Sequence, residues 1–178
     1  AHSLLRGRAL LGEGWAAEVE REAAKTAAAL ALREAGLVNW PTAADSYWAE
    51  DFPTRVQWCH GAPGLVTSLA GLPRDERIDE LLAAAGELTW VAGPLRKGAG
   101  LCHGTAGNGC AFLALHARTG DEFWLDRART FAVHALEQVG LGQRVVLTAF
   151  AIFFGGIVLA LALAFGLAGK EIARESLE

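Results

Sequence analysis

Trp58-Cys59-His60-Gly61-Ala62-Pro63-Gly64-Leu65 and Leu101-Cys102-His103-Gly104-Thr105-Ala106-Gly107-Asn108-Gly109 are near-copies of one another. They share the pattern Cys-His-Gly-x-x-Gly, and their cysteines lie 43 residues apart. The chain has three cysteines in 178 residues, so most of a scarce residue type stands at one place in a repeated block. That arrangement points to metal-site chemistry carried on a repeated structural unit.

Reading outward, each block is followed by the same kind of sequence. Behind the first, an apolar segment runs from Leu65 to Leu72 and stops at Pro73. Residues 75–92 then read as an amphipathic helix, with Ile78, Leu81, Leu82 and Leu88 at helical spacing. A Gly/Pro-rich loop from Gly93 to Gly100 leads to the second block. The apolar run from Cys110 to Leu115 continues to Gly120, and a second amphipathic helix is predicted over Glu122 to Val139. Self-similarity at this period is the signature of stacked helical hairpins, with the more apolar helix of each pair facing inward. Ahead of the blocks, Trp15 to Gly36 is predicted helical, rich in Ala, Glu, Lys and Arg and ending at glycine. Residues 37–57 read as irregular, with Pro41, Pro53, Trp40, Tyr47, Trp48 and Phe52. No segment before residue 140 alternates with period two, so residues 1–139 are expected to form an all-α domain.

Residues 140–178 differ in kind. Val145 to Gly169 runs 25 residues without a charged side chain. As a helix it would extend roughly 37 Å, enough to cross a bilayer core of about 30 Å. The expectation is a transmembrane helix over 145–169 with a polar helical tail from Lys170 to Glu178. Arg144 on one flank and Lys170 and Arg174 on the other leave its orientation open.

Composition narrows the function. Hydrophobic residues make up 52% of the chain, and mean hydropathy is +0.26. The net charge is −4 with no basic run, which argues against a nucleic-acid partner. Three cysteines make no disulfide framework and read as reduced thiols in the cytoplasm. Ala1 to Arg8 lacks the order of a signal peptide. With no Met anywhere, the chain reads as a processed, truncated or designed piece of something longer.

Adjacent side chains on a helix diverge by about 100°, so Cys102 and His103 cannot share a metal from mid-helix. They can from a loop entering a helix, and the glycines of the block supply that freedom. Two thiolates, one imidazole and an open position make a catalytic zinc arrangement, supplied by Cys59, Cys102 and His103. A closed structural zinc with His60 as fourth ligand is the lesser option, and chemistry alone barely ranks the two histidines. A helix N-terminus after each cysteine would favour the thiolate.

These two motifs, in this order and at this separation, resemble the lanthionine synthetase C-like family, both bacterial lantibiotic cyclases and eukaryotic relatives. The resemblance covers residues 1 to about 139. It implies a partial α/α toroid of helical hairpins with zinc at one end, held by Cys59, Cys102 and His103, which ranks His103 over His60. It also implies an active-site role for Arg55, four residues before Cys59. The implied activity is zinc-dependent activation of a cysteine thiol, from a dehydrated peptide or from glutathione, for addition to dehydroalanine or dehydrobutyrine. The product is a thioether, the linkage of lantibiotic biosynthesis. The family's N-terminal hairpins, with their His and Asp acid/base candidates, are expected to be missing, and the apolar tail stands where its final hairpins belong. The stretch from Ala149 to Glu178 resembles the transmembrane helix of small mechanosensitive-channel-like proteins. The chain thus reads as a join whose toroid piece needs an oligomer or a membrane to cover its faces, with weak or no activity. Two other readings stand beside the enzyme: a module that binds a thiol peptide or glutathione without turnover, and a membrane-embedded structural assembly.

The remaining candidates read as structural. Cys110 falls on the inward side of its helix, and His116 and His134 fall within helical patterns. Asp121-Glu122 is helix-start chemistry. Trp40, Trp48 and Trp58 read as packing residues before a peptide groove, and no Walker or dinucleotide fingerprint is present.

Overall fold

The structure is a computed structural model that describes residues 7, 10, 12–42, 55–94 and 98–175. It divides into two compact units, Ala1–Val139 and Gly140–Glu178. Tyr47, Trp48, Phe52 and Pro53, the start of the chain and its last three residues lie outside the described residues.

The fold is all-α apart from one small hairpin. In chain order the first unit holds α1 (Glu13–Ala29), β1 (Leu32–Glu34), β2 (Leu37–Asn39), α2 (Ala62–Leu69), α3 (Glu76–Ala92), α4 (Thr105–Thr119) and α5 (Glu122–Gln138). The second unit is α6 (Leu141–Glu175).

The hairpin corrects two expectations, the helix reaching Gly36 and the absence of strands. α1 ends at Ala29, and the next residues turn back as an antiparallel pair in the register Leu32↔Asn39, Arg33↔Val38, Glu34↔Leu37. Ala35 and Gly36 both have positive φ, 50° and 79°, the backbone twist that a two-residue hairpin loop demands. Gly36, read as a helix stop, is the second residue of that turn. Burial decides against local propensity: Val38, Asn39 and Trp40 are all buried, and the Trp40 indole N–H donates to the Ala27 carbonyl at 2.7 Å. That bond folds the hairpin back against α1, and β2 packs on α3.

The repeated hairpins are present as α2–α3 and α4–α5. α2 begins directly after Gly61, three residues earlier than the apolar run suggested, and α4 begins directly after Gly104. Asp75 caps α3 by accepting from the Ile78 N–H at 3.2 Å, and Asp121 caps α5 by accepting from Phe123 at 2.9 Å. Capping side chains of this type satisfy backbone donors that the first helical turn leaves free. α2 packs against α4, and both contribute to a core of Val66, Leu69, Leu81, Leu82, Ala85, Phe112, Leu115 and Phe131. α5 lies outermost, burying only Trp124, Ala128 and Phe131. At the end of the core away from the blocks, the Arg118 side chain, 2% exposed, meets Asp79 at 2.6 Å. It also donates to the carbonyls of Ala70, Leu72 and Pro73, tying the ends of α2, α3 and α4 together.

In the second unit, the described side chains of α6 are exposed along Gly142–Gly166, 25 residues of mean hydropathy 2.6. By length and composition this helix can cross a membrane.

Candidate metal centre

Each Cys-His-Gly block folds as a tight loop over the first turn of the helix it precedes. The reason is visible at the last glycine of each pattern. A Cβ on Gly64 would lie 1.9 Å from the Trp58 carbonyl oxygen, and one on Gly107 would lie 1.7 Å from the Leu101 carbonyl oxygen. In both blocks the carbonyl just before the cysteine presses onto the glycine six residues later, so the same backbone device occurs twice. Gly61 adds a φ of 104° that residues with a side chain rarely adopt.

The two loops meet. Gln57 and His60 exchange backbone hydrogen bonds at 3.0 and 3.1 Å, closing a turn with Trp58 and Cys59 at its tip. The Cys59 N–H donates to the Cys102 carbonyl at 3.4 Å, joining the blocks through their cysteines. As a result one ligand atom from each of Cys59, Cys102 and His103 lies within 4.8 Å of the others. Cys102 and His103 sit in the turn before α4 and not in the helix, which lets neighbouring side chains converge. Cys102 Sγ is 3.9 Å from His103 Nε2. Donor atoms this close to one another are within reach of a single metal ion. The donor set, two sulfurs and one imidazole nitrogen, suits zinc.

Electrostatics agree with that fit. The Cys102 thiol is raised above its ordinary value, first by its hydrogen bond with Cys59, then by desolvation and by the charge of Cys59. Two adjacent thiols cannot both ionise cheaply without a cation between them. Cys59 is half-buried, while Cys102 and His103 are exposed, so an incoming molecule can reach the group from solvent.

The other sequence candidates stand outside this three-residue group. His60 is half-buried and stands outside the three-residue group. Arg55 is exposed, and its carbonyl accepts from Asn39 Nδ2 at 3.3 Å. Cys110 is half-buried in α4, and burial pushes its thiol up. His116 Nδ1 lies 3.1 Å from the Asp121 carbonyl, and His134 lies 3.6 Å from Glu137 one turn along α5, both contacts away from the Cys/His group. Trp40 is a core residue, whereas Trp58 is 37% exposed beside the cysteines. Cavities of about 560 and 490 Å³ run along α1 and along the β-hairpin, and no member of the Cys/His group lines them.

Sequence reasoning missed two residues that hold this region. Asn39 Oδ1 accepts from the Ala62 N–H at 2.9 Å, capping α2 from twenty-three positions away in the chain. Asn108 Nδ2 donates to the Val56 carbonyl at 3.2 Å. No periodicity marks Asn39, and Asn108 is visible only as part of the second block.

Comparison with known proteins places these features in company. A family model described as lanthionine synthetase C-like protein matches residues 8–142. A Danio rerio protein named glutathione S-transferase LANCL1 is 41% identical over 103 residues, covering 56% of this chain and 25% of that protein. An Arabidopsis thaliana protein named LanC-like protein GCL1 is 42% identical over 81 residues, covering 43% of this chain and 18% of its own length. The matched part therefore spans a quarter or less of these relatives. The family match ends at the start of α6.

Proposed function

The chain belongs to the lanthionine synthetase C-like family, and from that premise we propose that Cys59, Cys102 and His103 hold a zinc ion that activates a thiol for addition to a dehydroamino acid. The observation that carries the reading is the convergence of three ligand atoms, from two separate blocks, within 4.8 Å. Zinc bound by two thiolates and an imidazole supplies Lewis acidity that ionises an incoming thiol near neutral pH.

The chain's own residues set the stage for that chemistry. The turn at Gln57–His60 and the loop before α4 hold the two cysteines face to face through the Cys59–Cys102 backbone bond. α2 and α4 start three residues after them, and the positive ends of the helices favour negative sulfur. Arg55 offers an exposed positive charge for the enolate that forms, or for a substrate carboxylate. In the reaction the thiol sulfur bonds to Cβ of dehydroalanine or dehydrobutyrine, the double-bond pair moves toward the carbonyl, and the proton lost by sulfur is replaced at Cα. No oxidant or reductant is consumed. The Danio rerio relative is named a glutathione S-transferase, which favours glutathione as the thiol over a cysteine-containing peptide.

A binding role without turnover is the second reading, favoured by one observation: among the described residues no carboxylate joins the Cys/His group. Metal analysis and an assay separate the two. The full chain should carry about one zinc, lost in Cys59→Ala and in Cys102→Ala; a chain that binds no zinc overturns both readings. With zinc present, thioether formation between glutathione and a dehydroalanine peptide above background marks an enzyme, and a background rate marks a binder.

A further inference from the structure

Two buried amides grip consecutive carbonyls just ahead of the first block: Asn39 Nδ2 donates to Arg55 O and Asn108 Nδ2 donates to Val56 O. We infer that Asn39 and Asn108 are positioning residues that fix the segment 55–60 and thereby present Cys59, and with it Arg55, to the second block. The inference rests on the zinc reading above.

Asn39 also caps α2 through its Oδ1, so Asn108 is the cleaner probe of the pair. Asn39, 8% exposed, comes from β2, and Asn108, fully buried, comes from the first turns of α4, so the segment is held from two independent elements. Asn108 makes a poor stabiliser. Its Oδ1 is buried with no partner among the described residues, and reversing the amide would set that oxygen against the Val56 carbonyl. An apolar side chain of the same size would remove the unmet acceptor but leave the Val56 carbonyl without its donor. A polar group kept in the core with half its bonding capacity unused signals a role other than stability. The hydrogen bond it does make points at the loop carrying the first metal ligand. Partners bonded directly to a metal ligand change metal affinity about 10–100-fold when removed, and these amides act one step behind that, through the backbone.

Two variants separate positioning from structure. Asn108→Leu removes the grip on Val56 without opening a cavity. Asn39→Asp keeps the acceptor that caps Ala62 and loses the donor to Arg55. Zinc affinity is measured by competition with a chromophoric chelator on the full chain, and cobalt(II) reports ligand geometry through its thiolate absorption. A metal-independent readout is hydrogen exchange at the Cys59 amide, whose bond to Cys102 depends on the placement of the turn. The expected result, read well below the lowered melting temperature of each variant, is zinc binding weakened by up to about tenfold, a shifted cobalt spectrum and faster Cys59 exchange. Native affinity, spectrum and exchange in both folded variants would overturn the inference. If the unmodified chain binds neither metal, the zinc reading has failed. Cys59 exchange then decides the positioning claim alone: faster in the variants upholds it, unchanged refutes it.

Discussion

At the residue scale, Gly107 sets two physical effects against each other. It lies in the first turns of α4, where alanine in place of glycine would favour the helix by up to about 1 kcal/mol. Yet a Cβ there would meet the Leu101 carbonyl oxygen at 1.7 Å and Trp58 Cβ at 2.9 Å. Backbone cannot yield as a flexible side chain can, and overpacking of this kind costs about 1–3 kcal/mol or more. Gly107→Ala should therefore lower stability in urea unfolding by about 2 kcal/mol and weaken metal binding, because the displaced carbonyl immediately precedes Cys102. Gly14→Ala, with nothing within 4 Å, is the control and should be neutral or mildly stabilising. Equal behaviour of the two variants would refute the close-approach account. This is also where the site was legible from sequence. Cysteine, histidine and two glycines at fixed offsets announce a loop entering a helix, and the duplication announces two such loops. Their meeting through Cys59 N–H and Cys102 C=O is a tertiary fact that spacing alone does not contain. Asn39 is invisible for the same reason.

At the element scale, the helical hairpins were readable because apolar spacing and caps agree: Asp75 and Asp121 start α3 and α5, and Gly120 ends α4 in the left-handed conformation. The β-hairpin was not readable. Ala31, Leu32, Arg33, Glu34 and Ala35 are all helix formers, and only the burial of Val38 and Trp40 explains why the chain turns back there. Local propensity is a weak prior that tertiary packing overrides. α6 presents the reverse case, an element explained by its own composition. Its span Gly142–Gly166 is exposed and has mean hydropathy 2.6. Burying such a surface in lipid is favoured by about 25 cal/mol for each Å² of apolar area. We expect the full chain to fractionate with membranes and resist alkaline carbonate, and a chain lacking residues 145–169 to be released. A full chain that remains in the aqueous fraction without detergent would refute insertion.

At the scale of the whole molecule, the metal reading predicts opposite pH dependences for the empty and loaded protein. In the metal-free state the Cys102 thiol is raised above its ordinary value of 9.0. The folded state then prefers the protonated thiol more than the unfolded chain does. That contribution is complete below the ordinary thiol value and is lost as pH rises through the raised one. Zinc inverts the dependence, because its ligands must shed their protons to bind: stabilisation by metal grows from acid toward alkaline pH and vanishes in acid. At free zinc about 100-fold above Kd, linkage adds about 2.7 kcal/mol, a rise of several degrees in Tm for a unit of this size. All six tryptophans lie within residues 1–139, so tryptophan fluorescence follows the melting of the first unit without interference from α6. Melting curves in chelator and in zinc, across neutral and alkaline pH, should show a gap that widens as pH rises. Cys102→Ala should close that gap by abolishing the zinc effect and should also flatten the alkaline decline of the metal-free protein, since both trace to one thiol beside Cys59. If zinc shifts Tm no more than magnesium does, or if the gap narrows with rising pH, Cys59, Cys102 and His103 are not a zinc centre.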